Sequence, residues 1–139
     1  MANQVIPDSP IILVPISVPF PRCYWVVPGK FMAGCYPSSE DVQEADRKLI
    51  GLLEHGIRHV INLMEPNEFN RDMRPFVPYE GSMKSIANSM GLEVTFERIP
   101  IRDGWVPSHG EMVATLDSID SHIERGEAVF MHCPALLNA

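Results

Sequence analysis

Gly126-Glu127-Ala128-Val129-Phe130-Met131-His132-Cys133 is the stretch on which the fold turns. Gly126 ends a helix pattern, and Ala128 to Met131 is a short apolar run that reads as a buried strand. Upstream, Ser108-His109-Gly110-Glu111 has capping-box form, and Met112, Leu116, Ile119 and Ile123 follow as one apolar helical stripe. Leu92 to Ile99 alternates like a strand. Tyr79 to Met90 reads as a helix ended by Gly91, and Arg58-His59-Val60-Ile61-Asn62-Leu63 as a β-branched, apolar strand. Pro37-Ser38-Ser39-Glu40-Asp41 starts a further helix, with serine caps and acids in the first turn. Val42, Ala45, Leu49, Leu52 and Leu53 form its apolar side, and Gly56 closes it at His55. Before it, Tyr24 to Val27 and Lys30 to Cys35 flank a Pro28-Gly29 turn and read as a hairpin. Strand and helix in alternation predict an α/β fold, with a mostly parallel central sheet flanked by helices. In open sheets of this kind the ligand site lies beyond the carboxyl ends of the strands, which directs attention to His132-Cys133.

Composition narrows the classes of function. The chain has 139 residues, of which 45% are apolar and 21% charged, enough for one compact domain with a core. Its net charge of −7 argues against a general nucleic-acid binder, which needs a basic face to neutralise phosphates. A local anion site is a separate matter. Ile11 to Phe20, broken by Pro15 and Pro19, is too short to span a bilayer, and no positive residue precedes it as in a secretory leader. Three cysteines, odd in number, make no disulfide framework, so a reduced, cytoplasmic protein is expected. The five histidines are scattered and show no zinc spacing, so no metal site is expected. Seven of the 13 prolines precede residue 38, and residues 1–22 read as an extended arm. A strap over the domain, pairing at a sheet edge and partial disorder all remain open for it. Residues 23–139 form the domain.

Phe130-Met131-His132-Cys133 resembles the strand and His-Cys pair that open the active site of protein tyrosine and dual-specificity phosphatases. Ile101-Arg102-Asp103-Gly104-Trp105-Val106-Pro107-Ser108, thirty residues upstream, is similar to the mobile loop carrying their general acid. Trp25 to Gly34 resembles the entry hairpin of the smaller dual-specificity type, and Gly56 to Leu63 the following helix-to-strand corner. The resemblance implies hydrolysis of phosphate monoesters without metal or cofactor, on a phosphorylated protein or a small phosphoester. It makes Cys133 the nucleophile and Asp103 the acid and then the base, with His132 orienting the turn and helping to hold the thiolate.

The sequence then departs from the pattern. The family reads His-Cys, two residues, Gly, two residues, Arg, then Ser or Thr. Here Leu136 stands at the glycine, Ala139 at the arginine, and the sequence ends. The glycine lets backbone N–H groups turn toward the phosphate, the arginine binds its oxygens bidentately, and a following helix points its N-terminus at the anion. An unassisted cysteine, with pKa about 8.5, is only about 3% thiolate at neutral pH. The expectation is therefore a phosphatase-like domain cut short at the phosphate loop, lacking the C-terminal helices and inactive or nearly so. The alternative is a pseudophosphatase or fragment that binds a protein partner, or itself, through an uncovered sheet face. An unrelated α/β binding domain with an accidental His-Cys is a third reading.

Simpler roles stand beside these. Asp103-Gly104 is also a common turn dipeptide, and a lone Cys133 could be a small buried hydrophobe. Trp105, Cys23 and Cys35 read as packing residues, with redox pairing of Cys23 and Cys35 left open, and His109 and His122 as solvent-facing helix residues. Arg71 and Arg74 sit in a solvated loop, or in one that recognises a phosphosubstrate.

Overall fold

The computed structural model describes residues 17–66, 68–70, 72–101 and 108–133. The hairpin is present as β1 (Cys23–Val27) and β2 (Phe31–Gly34), paired antiparallel. Gly29 has φ +76° in the connecting turn, a conformation open to glycine at no steric cost. Helix α1 (Val42–Glu54), strand β3 (Ile57–Asn62), helix α2 (Glu80–Ser89), strand β4 (Thr95–Arg98), helix α3 (His109–Glu124) and strand β5 (Ala128–His132) follow. The sheet order is β1-β2-β5-β3-β4, and every pairing beyond the hairpin is parallel. The expected α/β architecture with a mostly parallel sheet is the observed one.

The sheet is covered on both faces. Leu49, Leu52 and Leu53 of α1 and Met83 and Ala87 of α2 pack with Met32, Val60 and Phe130 in the larger core. On the other face Ile119 of α3 packs with Ile61, Ile99 and Val129. A strand buried on both faces is apolar throughout, which is why Val129 and Phe130, neighbours in sequence, are both fully buried on opposite sides. Phe20 belongs to the larger core as well, its ring edge-on to Phe130. Pro19 lies across α1 at Gly51, where a Cβ would come within 2.8 Å of the proline ring. The Trp25 indole N–H reaches back to the Ser17 carbonyl. Residues 17–22 thus strap α1, while residues 1–16 lie outside the described part.

Several local expectations change. The cap of α1 is Asp41 rather than a serine. Its carboxylate accepts from the Gln43 and Glu44 N–H groups, while Ser39 Oγ accepts from the Asp41 N–H. Val42, expected in the core, is 71% exposed at the first position of α1. The strand expected over Leu92 to Ile99 contracts to Thr95–Arg98. The chain first completes the end of α2, with Leu92 N–H on the Ala87 carbonyl, and meets β3 only where Thr95 pairs with His59. The Ser108 and Glu111 capping box forms as expected. Only half of the α3 stripe is covered, however: Met112 and Leu116 are 46% and 54% exposed beside buried Ile119.

The pairing of β1 with β2 slips between Trp25 and Val27, so that Val26 is an extra residue in the edge strand. At its other end the hairpin is tight. A Cβ on Gly34 would sit 2.7 Å from Cys23 Cβ and 2.9 Å from the Phe130 ring. Neither neighbour is a loose side-chain end. Gly34→Ala is expected to destabilise the domain by about 1–3 kcal/mol, the usual cost of overpacking a filled core. Urea denaturation of the variant beside the parent measures it, and an unchanged midpoint would mean that the hairpin floats on the sheet.

Candidate active site

Three parallel strands end side by side at one edge of the sheet. His132, the last residue of β5, is in register with Gly34 of β2 and Asn62 of β3. Cys133 follows it directly and is partly buried. Beyond β3 the chain continues as a lip: the Leu63 N–H donates to the His132 carbonyl, and the Ile101 N–H to the Leu63 carbonyl. Asp103 and Trp105, like Leu136, Ala139 and Arg71, lie outside the described residues. Of the expected trio, His132 and Cys133 are brought to this edge.

His132 is 1% exposed and sits in an aromatic box. Its Nε2 is 2.6 Å from the Tyr79 hydroxyl, and its Nδ1 makes a long contact of 3.5 Å with the Cys133 carbonyl. A carbonyl can only accept, so Nδ1 carries the proton and Nε2 accepts from the Tyr79 hydroxyl. Tyr36 meets the imidazole edge-on, and Phe130 stacks at an offset. Burial pushes the Tyr79 phenol well above its ordinary range, with nearby Glu80 adding to the effect, so the phenol stays a donor. Tyr36 is raised to about 12, again chiefly by burial. The packing holds the residue before Cys133 rigid and uncharged.

Around this edge lies a cavity of about 300 Å³. Asn62, Met64, Phe76 and Arg98 line it, with Glu65, Glu68 and Glu80 at its rim. The Asn62 side-chain oxygen accepts from the Met64 N–H and shapes the turn out of β3. The Arg98 guanidinium donates to the Met64 carbonyl at 2.6 Å and so spans the start of the long loop. Arg74 lies in that loop, exposed and paired with Glu40 at 3.0 Å, consistent with the solvated reading.

Two residues were misjudged or missed. Tyr79, read only as a helix start, is 53 positions from its partner His132, and no local signal joins them. His122, expected to face solvent, instead stacks on buried His59 at 3.5 Å. The last turn of α3 lays it over the β3–β4 edge. His109 is exposed, as expected.

The domain described as PTP-SAK, Swiss Army Knife protein, DSP-PTPase phosphatase domain, matches residues 20–135. No curated protein matches the chain. Among solved structures, a DUF442 protein from Shewanella putrefaciens CN-32 superposes with a TM-score of 0.55 at 22% identity, over 84% of this chain and 60% of its own. A mutant form of Tk-PTP gives 0.52 at 21% identity, over 83% of this chain and 62% of its own. Kinase-associated phosphatase with its catalytic cysteine replaced by serine gives 0.50 at 15%, over 77% and 57%. At such identities the likeness shows the fold. The chain spans less than two thirds of the length of each of these structures.

Burial lowers His132 from 6.5 to about 3, against a weaker opposing contact with the Cys133 backbone. The unfolded chain then takes up a proton below about pH 6.5 that the folded chain refuses, so stability falls as pH drops from there toward 3. Between about pH 7.5 and pH 5 this one group should remove about 2 kcal/mol. His132→Asn should flatten the fall by that amount in urea titrations at the two pH values. The parent's other groups, including His59, which burial also lowers, keep their share in both proteins.

Proposed function

Because the chain belongs to the DSP-PTPase phosphatase domains of the Swiss Army Knife type, we propose that its site is laid out for hydrolysis of phosphate monoesters through a cysteinyl-phosphate. The observation that carries this is the position of Cys133, one residue past the end of β5 and preceded by a buried His132 locked to Tyr79. The substrate is a phosphorylated protein or a small phosphoester.

The steps follow from the residue types. The Cys133 thiolate attacks phosphorus, an S–P bond forms, and the P–O bond to the leaving group breaks while Asp103 gives that oxygen its proton. Asp103, now a carboxylate, takes a proton from water. The hydroxide attacks phosphorus, the S–P bond breaks, and inorganic phosphate leaves with the thiolate restored. His132 touches no reacting atom. Through its Nδ1 it contacts the Cys133 carbonyl and so acts as a positioning residue for the candidate nucleophile.

This chain is inactive or nearly so. Leu136 stands where the pattern has glycine, and a side chain there opposes the inward turn of N–H groups. Ala139 stands at the arginine, so bidentate charge on the transferring phosphoryl group is lost. Loss of one such stabiliser costs about 10²–10³ in rate, and here two are gone. Hydrolysis of an aryl phosphate at mildly acidic to neutral pH, by the chain and by Cys133→Ser, is expected to show background rates for both. Turnover that disappears in Cys133→Ser would mean that another group replaces the arginine.

A second reading is favoured by α3, where Met112, Val113 and Leu116 are all more than 40% exposed. A non-catalytic domain of this type would use that face to bind a protein, or a second copy of itself. Light scattering is expected to show mass rising with concentration, and a strict monomer would count against self-association.

A further inference from the structure

On the face of the sheet away from His132 lies a cluster that the phosphatase chemistry does not use. His59 of β3 is in register with Val129, three residues before His132, so the cluster stands roughly 10 Å back along the strands. His59 is buried, Glu97 on β4 is 36% exposed at its side chain, and His122 in the last turn of α3 is 14% exposed. One donor atom from each of these three residues lies within 4.8 Å of the others. The two imidazoles are stacked, with centroids 3.5 Å apart and planes 11° from parallel.

Each of the three is held from behind. His59 Nδ1 is 2.7 Å from the Thr95 hydroxyl, and that hydroxyl in turn reaches the Arg58 carbonyl at 3.5 Å. His122 Nδ1 is 2.5 Å from the Glu127 carboxylate. Ser118 donates its hydroxyl hydrogen to Glu97 at 2.5 Å. With Nδ1–H directed outward on both rings, each Nε2 keeps a lone pair available to a cation. His59 Nε2 then lies 3.0 Å from the Glu97 carboxylate, an acceptor facing an acceptor. A cation between them removes the repulsion. Histidine ligands braced through the other nitrogen by a carboxylate or hydroxyl are the usual outer framework of metal sites.

We propose that His59, Glu97 and His122 form a binding site for a divalent transition metal of the zinc class, which ties the end of α3 to the β3–β4 edge. Two imidazoles and one carboxylate suit zinc, cobalt or nickel and not magnesium or calcium, which require oxygen ligands. Metal–ligand bonds of about 2.0–2.1 Å require the donors to close in and the His122 ring to tilt out of the stack. His122, in the last turn of α3, can tilt about its contact with Glu127, and Glu97 gives the ion a path from solvent. A cation already stands beside the cluster: Arg125 Nη2 is 2.9 Å from His122 Nδ1, 3.4 Å from its Nε2 and 3.6 Å from Glu127. Its exposed side chain can swing away. A fourth position is left for water.

The rival arrangement needs no ion: Thr95 donates to His59 Nδ1, and His59 Nε2–H donates to Glu97. Zinc titration of the untagged full chain separates the two. The expected result is one zinc per chain, a raised melting temperature, no response to magnesium, and a visible absorption band of low-symmetry Co²⁺ when cobalt is used. Glu97→Gln and His122→Gln should each abolish the stabilisation, and Glu127→Gln should weaken binding about 10–100-fold. His109→Gln, on the exposed start of α3, should change nothing. Absence of zinc binding overturns the proposal. So does binding that survives in both Glu97→Gln and His122→Gln, or that is lost when Cys23, Cys35 and Cys133 are replaced by serine.

Discussion

The structure depends on the burial of β5 between β2 and β3. A parallel strand with neighbours on both sides has all its backbone groups paired and both faces covered, so its register cannot slip without exposing Val129 or Phe130. That register puts His132 between Gly34 and Asn62 and brings Cys133 out at the carboxyl edge. Gly34 contributes by what it lacks, since any side chain there would press on the Phe130 ring from which the His132 box is built. Placement of the candidate site and core packing are therefore one requirement.

Buried aromatic neighbours give His132 a role that its titration range in water would not allow. A histidine free to protonate near neutrality would carry a charge beside the candidate nucleophile that varied with pH. Here Tyr79, Tyr36 and Phe130 exclude water, and the imidazole acts as a fixed neutral strut between a phenol and a backbone carbonyl. The cost is borne by overall stability in acid.

What was legible in the sequence was local and periodic. The apolar run of β5, the capping box at Ser108 and the hairpin turn at Gly29 each carry their signal within a few residues. The alternation of elements then implied the sheet. What was illegible required two distant segments to meet. Nothing near His122 announces His59, and nothing near Tyr79 announces His132. Both pairings exist because a parallel sheet stacks segments dozens of residues apart. The α3 stripe misled for a different reason. Periodicity shows that a helix has an apolar face but not how wide a surface it meets, and Met112 and Leu116 stay exposed while Ile119 joins the second core. Asp103 was legible as a candidate only through its resemblance to a family loop.

The extra residue Val26 in β1 bears on how the domain behaves in a crowd. β1 is an outer strand, with Tyr24, Val26 and Val27 all substantially exposed. A flat strand of that composition would offer a row of unpaired N–H and carbonyl groups beside sticky side chains, a template onto which another polypeptide could crystallise strand by strand. The bulge breaks the row. It twists the rim and throws successive donors out of step, so an incoming straight strand finds few partners before the spacing fails. One surplus valine thus interrupts the β1 rim as a template for strand addition.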